Sequence, residues 1–175
     1  MTDLLSQPIE SLPEFLAHAL ELEVESAERY RDLADVMQVH NNLEVADLFR
    51  KLAAYGDRHA AEVQQRAAAH QLPVISPWDF KWSCPEAPEV PCMEDAHYLM
   101  TKCQALELAL HNEVRGRDFY AAVAARSLDP EVQQAAAEMA EEEDCHVRML
   151  REWFARESCD MVKPPSDLDP PNMPE

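Results

Sequence analysis

Glu143-Asp144-Cys145-His146 sets a carboxylate three residues before an imidazole. On a helix those two side chains share a face, one turn apart. A carboxylate offers hard oxygens and a neutral imidazole a nitrogen, a donor pair that suits a divalent cation inside a helical bundle. In a chain rich in Ala and Glu the same pair also fits a solvated surface helix. What distinguishes it here is a set of companions at matching positions: Glu23 with Tyr30, His59, and Glu113 with Tyr120.

The companions form a repeat. Superposing Tyr30 on Tyr120 pairs Glu23 with Glu113, Val24 with Val114 and Ala34 with Ala124; superposing His59 on His146 pairs Val45 with Val132, Ala53 with Ala140 and Asp57 with Asp144. Each half therefore reads as a helical hairpin, with a Glu and a Tyr on its first helix and a His on its second. Opposite Glu143, however, stands Gly56. Glycine within a helix costs about 1 kcal/mol relative to Ala, so something must tolerate or require it. Gly116, the other of the chain's two glycines, follows Glu113 by one turn. Both positions fit close helix packing, or room at a metal for a substrate, a water or a repositioned side chain. Stand-ins for the lost carboxylate are Glu62 and Tyr55, one turn either side of His59, with Asp57 and Glu142 nearby.

The elements that must position these residues are legible from periodicity and stop signals. Ser11-Leu12-Pro13-Glu14 reads as a capping box opening a first helix that runs to about His40, with Leu16, Leu20, Val24, Ala27, Leu33 and Val36 on its apolar stripe. A second helix follows Asn41-Asn42 and runs to about His70. Five prolines between residues 71 and 93 forbid a long helix there, and that stretch reads as a crossover packing Trp78, Phe80 and Trp82 on the bundle, or as a partner-binding loop. The third helix is expected from about Glu94 to Ser127. Asp129-Pro130-Glu131 then starts a fourth, to about Ser158. The predicted fold is all-α, a four-helix bundle of two antiparallel hairpins joined by a long crossover. It comprises an N-terminal segment 1–11, a bundle 12–157 and a mobile, acidic, Pro-rich tail 158–175.

Composition narrows the function classes. The net charge of −19 argues against a nucleic-acid backbone or an anionic membrane surface as partner. No apolar run is long enough to span a membrane and the N-terminus lacks a signal pattern, so the expected compartment is the cytoplasm. The five cysteines include no C-x-x-C pair, which leaves a zinc knuckle or rubredoxin-type iron site without support and predicts free thiols.

With Glu23 and Tyr30, Leu48-Phe49-Arg50 leading to His59, Glu113 and Tyr120, and Glu143-x-x-His146, residues 12 to 157 resemble the rubrerythrins of the ferritin-like di-iron superfamily. The resemblance implies that Glu23 and His59 serve one iron, Glu113 and His146 the other, and that Glu143 bridges them. By position, two helical turns after Glu23 and Glu113, Tyr30 and Tyr120 read either as hydrogen-bond donors to ligand carboxylates or as core tyrosines with a satisfied hydroxyl. The resemblance further implies peroxide or dioxygen as substrate, an external electron donor and a homodimer. Two departures stand out: the second bridging Glu is Gly56, and the rubredoxin module has no counterpart. The alternatives are therefore a protein holding one metal without turnover (iron, zinc or manganese), or a helical adaptor with a decayed site.

Overall fold

The computed structural model describes residues 5–82, 86–91, 96–157 and 159. Four helices carry the fold: α1 (Leu12–Val39), α2 (Leu43–Ala67), α3 (Lys102–Arg126) and α4 (Pro130–Arg156). Helix α1 packs along α2 and α3 along α4, and no β-strand occurs among the described residues. This is the predicted all-α bundle of two hairpins. The mobile tail expected over 158–175 falls, apart from Cys159, outside the described residues.

Local chemistry explains the helix ends. Asp129 accepts a hydrogen bond from the Glu131 amide at 2.8 Å, with Pro130 at the first helical position. Between α1 and α2, Asn41 takes φ 59°, a left-handed conformation that Asn tolerates because its short side chain bonds locally. Asn42 spends its side-chain amide on the Met100 carbonyl at 2.8 Å instead of capping α2, and so ties the far end of the crossover to this turn. Two expected starts differ. Ser11 makes no side-chain cap to α1, because Glu14 pairs instead with the Lys81 ammonium at 2.7 Å. Helix α3 begins at Lys102 rather than near Glu94, where a true capping box forms between Thr101 and Gln104. Leu99, which a helix from Glu94 would include, is exposed in the turn before α3.

The crossover is held by a histidine that showed no partner in the sequence. His18 is fully buried on α1; its Nδ1 donates to the Glu14 carbonyl at 2.9 Å, and its Nε2 accepts the Lys81 amide at 3.0 Å. Burial pushes its pKa down, which favours the neutral ring that this pair of bonds requires. Phe80 and Trp82 stack on each other and meet His18 edge-on. Trp82 is buried while Trp78 stays in solvent, so the aromatic stretch packs on the bundle only in part. Leu5 and Ile9, before α1, are buried in the same cluster.

Cys103, at the start of α3, is bonded to Cys159, just past α4. That overturns the expectation of free thiols for this pair. Cys145 is free, and it lies at the surface near the Arg148 guanidinium rather than in the core. No helix is long and apolar enough to cross a membrane among the described residues.

Two apolar clusters fill the bundle. One contains Phe15, Leu22, Val63, Phe119 and Met139; the other contains Tyr30, Phe49, Leu52, Ala109 and Leu150. On every helix a polar residue lies in sequence between the two sets: Glu23 on α1, His59 on α2, Glu113 on α3, Glu143 on α4. An apolar core interrupted at mid-height by acids and imidazoles is costly unless those groups are paired or bind something.

Candidate metal centre

The bundle brings all five sequence-nominated ligands together. Glu143 is buried at the centre, with one oxygen toward each histidine: Oε2 is 2.8 Å from His146 Nδ1 and Oε1 is 3.9 Å from His59 Nδ1. Behind each histidine stands a second carboxylate. Glu23 Oε2 is 3.5 Å from His59 Nδ1, and Glu113 Oε2 is 3.4 Å from His146 Nδ1. The two imidazoles stack with ring centres 4.5 Å apart. One Glu and one His thus lie on each side of Glu143, the near-twofold arrangement expected from the repeat. The ligating atoms of His59, Glu143 and His146 all lie within 4.8 Å of one another.

The electrostatics are those of buried acids crowded around an imidazole. Burial pushes the Glu143 carboxyl well above the usual carboxylate range, against the hydrogen bond from His146, and Glu113 and Glu23 push it further. For His146, burial disfavours the charged ring, but hydrogen bonds to Glu113 and Glu143 outweigh it and raise the pKa to about 10. An imidazolium therefore stands here in the metal-free protein.

The tyrosines differ from each other. The Tyr120 hydroxyl donates to Glu23 Oε1 at 3.2 Å, so it braces the carboxylate of the other hairpin. Tyr30 is fully buried and lines the same cavity, and its hydroxyl has no hydrogen-bond partner. Tyr55 is half-buried and faces His146 ring to ring at 6.4 Å, with the Arg58 guanidinium over its other side. Glu62 is exposed on the outside of α2, and Asp57 pairs with Arg31 at 2.8 Å on the surface. Glu142 pairs with Arg66 at 3.1 Å. Glu62, Asp57 and Glu142 thus stand outside the buried cluster.

The buried carboxylate that sequence reasoning missed is Glu89. It comes from the crossover, is 4% exposed, and lies with Glu23 and Glu143 so that ligating oxygens of all three fall within 4.8 Å of one another. Its Oε1 has no hydrogen-bond partner. Burial, then the neighbouring Glu143, Glu23 and Glu113, hold its carboxyl well above the usual range. Gly116 explains how it fits: a Cβ at that position would overlap the Glu89 carboxyl group. The one signal in the sequence was that gap on the ligand face of α3.

Gly56 has a different cause. A Cβ there would lie 3.0 Å from the Ala27 Cβ, and 3.3 Å from the Ala27 Cα and the Glu23 carbonyl oxygen of α1. At this glycine α1 and α2 are in close contact, and two of the three nearest atoms are backbone. Gly56→Ala is therefore expected to lower stability by up to about 2 kcal/mol, an overpacking cost of about 1–3 kcal/mol offset by about 1 kcal/mol of better helix propensity. A denaturant midpoint that rises in this variant would show that the contact relaxes freely.

The free space among these residues is about 10 Å³, on the scale of a single water. Comparison with protein-family models and with curated proteins returned no match. Among solved structures, an uncharacterized conserved protein, COG1633, from Magnetospirillum magnetotacticum MS-1 is 42% identical, over 87% of this chain and 99% of that one, with a TM-score of 0.65. The chain belongs to the COG1633 family.

Proposed function

We propose that this COG1633 protein is a rubrerythrin-like di-iron oxidoreductase that reduces peroxide or activates dioxygen. The observation that carries the reading is Glu143, buried with one oxygen turned toward each of two stacked histidines. That is the placement of a carboxylate shared between two cations. Glu23 and His59 would hold one ion, Glu113 and His146 the other. The donors fit: each cation would have carboxylate oxygen and imidazole nitrogen within reach, in a space too small for an organic substrate.

Iron bound there supplies the one-electron steps that peroxide or dioxygen chemistry needs. The chain's own residues do the rest. Tyr120 orients Glu23, while the surrounding apolar clusters exclude bulk water. The His59 and His146 side chains keep 13% and 16% of their surface exposed, so the imidazole edge of the site reaches solvent. In this reading an external donor returns electrons, and the chain assembles as a homodimer in the cytoplasm.

Zinc or manganese would suit the same donors, so the test counts metal and turnover separately. Anaerobic titration with Fe²⁺ should saturate at two equivalents per chain, and added peroxide should oxidise the bound iron faster than iron in buffer. One equivalent without turnover would favour the single-metal alternative. A folded chain that binds none would leave the adaptor reading.

A further inference from the structure

Resting on that reading, we propose that Glu89 is a metal ligand delivered by the crossover, supplying the carboxylate that α2 lacks, and that Gly116 is the slot through which it reaches the site. Two separate costs converge on this spot. A buried carboxyl oxygen lacks any hydrogen-bond partner, and a helix carries a glycine where Ala is the better helix former. Neither cost has a compensation within the apolar packing. Ligation offsets both: the orphan oxygen gains a partner, and the missing Cβ lets the side chain in.

The backbone that carries Glu89 is built to hold it there. Ala87 to Val90 form a tight turn, closed by the Val90 amide on the Ala87 carbonyl at 3.1 Å. Ala87, Pro88 and Val90 are all buried around it. From α1, Arg29 reaches the Pro91 carbonyl at 3.1 Å and the Glu86 carboxylate at 3.4 Å, clamping both flanks of the turn. A carboxylate presented on a clamped turn is a positioned group, not a stray loop acid.

Charge arithmetic points the same way. Glu23, Glu113 and Glu143 alone leave two divalent cations with one uncompensated positive charge in a low-dielectric interior. With Glu89, four carboxylates and two neutral histidines balance two divalent cations, which buried charge requires. A carboxylate-bearing side chain at residue 56 of α2 would crowd Ala27 and the Glu23 carbonyl of α1. The donor therefore enters on the opposite side, beside α3, from a segment outside the helices. It follows that metal and crossover are coupled: filling the site should anchor the turn at residues 87–90 against the bundle.

The test compares the intact wild-type chain with Glu89→Gln, which keeps size and removes the anionic donor, and with Gly116→Ala, which blocks the slot. Each is titrated anaerobically with Fe²⁺ and separately with Mn²⁺, and each is digested with protease with and without Mn²⁺, with cleavage between residues 80 and 91 followed by mass spectrometry. The expected result is two equivalents in wild type, and in Glu89→Gln loss of one equivalent or at least a tenfold weakening. Mn²⁺ should protect the crossover in wild type and not in Glu89→Gln. Gly116→Ala should reproduce the Glu89→Gln binding defect. Wild-type stoichiometry, affinity and protection in Glu89→Gln would overturn the assignment while leaving the five-ligand centre standing. A wild-type chain that takes up neither ion would overturn the centre and the assignment together.

Discussion

Replacing Glu143 with Ala removes tight metal binding: both equivalents should weaken by at least 100-fold, about 3 kcal/mol. The reason is positional. Its two oxygens face His146 at 2.8 Å and His59 at 3.9 Å, so deleting one side chain strips a donor from both halves of the site. The fold should survive. In the metal-free protein burial already pushes this carboxyl toward its neutral form, and neighbouring acids push the same way. Removing it relieves that crowding but also takes away the 2.8 Å partner of His146, so the metal-free variant should still unfold cooperatively, at or below the melting temperature of metal-free wild type. Isothermal titration with Mn²⁺, paired with thermal unfolding of both forms, checks the two statements separately. Unchanged stoichiometry in Glu143→Ala would sink the proposed constellation.

Metal affinity should fall steeply on acidification, and the direction follows from His146. In the metal-free protein its pKa is raised to about 10, so it carries a proton throughout the neutral range. Coordination needs the neutral ring, so each binding event at that histidine must expel the proton. One proton released per ion makes affinity change about tenfold per pH unit, hence about 100-fold between pH 7.5 and 5.5. The raised carboxyls of Glu143 and Glu89 steepen the dependence further wherever they are protonated. The stability of the metal-free chain should move the opposite way. A histidine raised above its unfolded value stabilises the fold fully below about pH 6.5 and loses that contribution as pH rises through its folded value. Buried acids with raised pKa likewise favour the fold at low pH and oppose it once the unfolded chain ionises. Metal-free protein should therefore lose stability from pH 6 to 9, and saturating Mn²⁺ should reverse the trend by mass action. A binding constant flat across the acid range would mean that no histidine is a ligand.

The sequence alone determined whatever depends on local periodicity. Apolar residues at helical spacing, Asp129-Pro130, and the paired Glu–Tyr and His positions of the two halves placed four helices and put Glu23, His59, Glu113, Glu143 and His146 at one level of the bundle. A residue's face on a regular helix is set by its register, and register is readable from neighbours in the chain. Irregular backbone has no such register. For that reason the start of α3, the anchoring of the crossover by His18 and the Cys103–Cys159 bond all became visible only when distant segments were brought together. Gly56 and Gly116 show the boundary most sharply. As letters they are the same anomaly, a helix-weakening residue on a ligand face. Tertiary packing separates them: the backbone of α1 fills the space at one, and the carboxyl group of Glu89, from a turn that no periodicity describes, fills the space at the other.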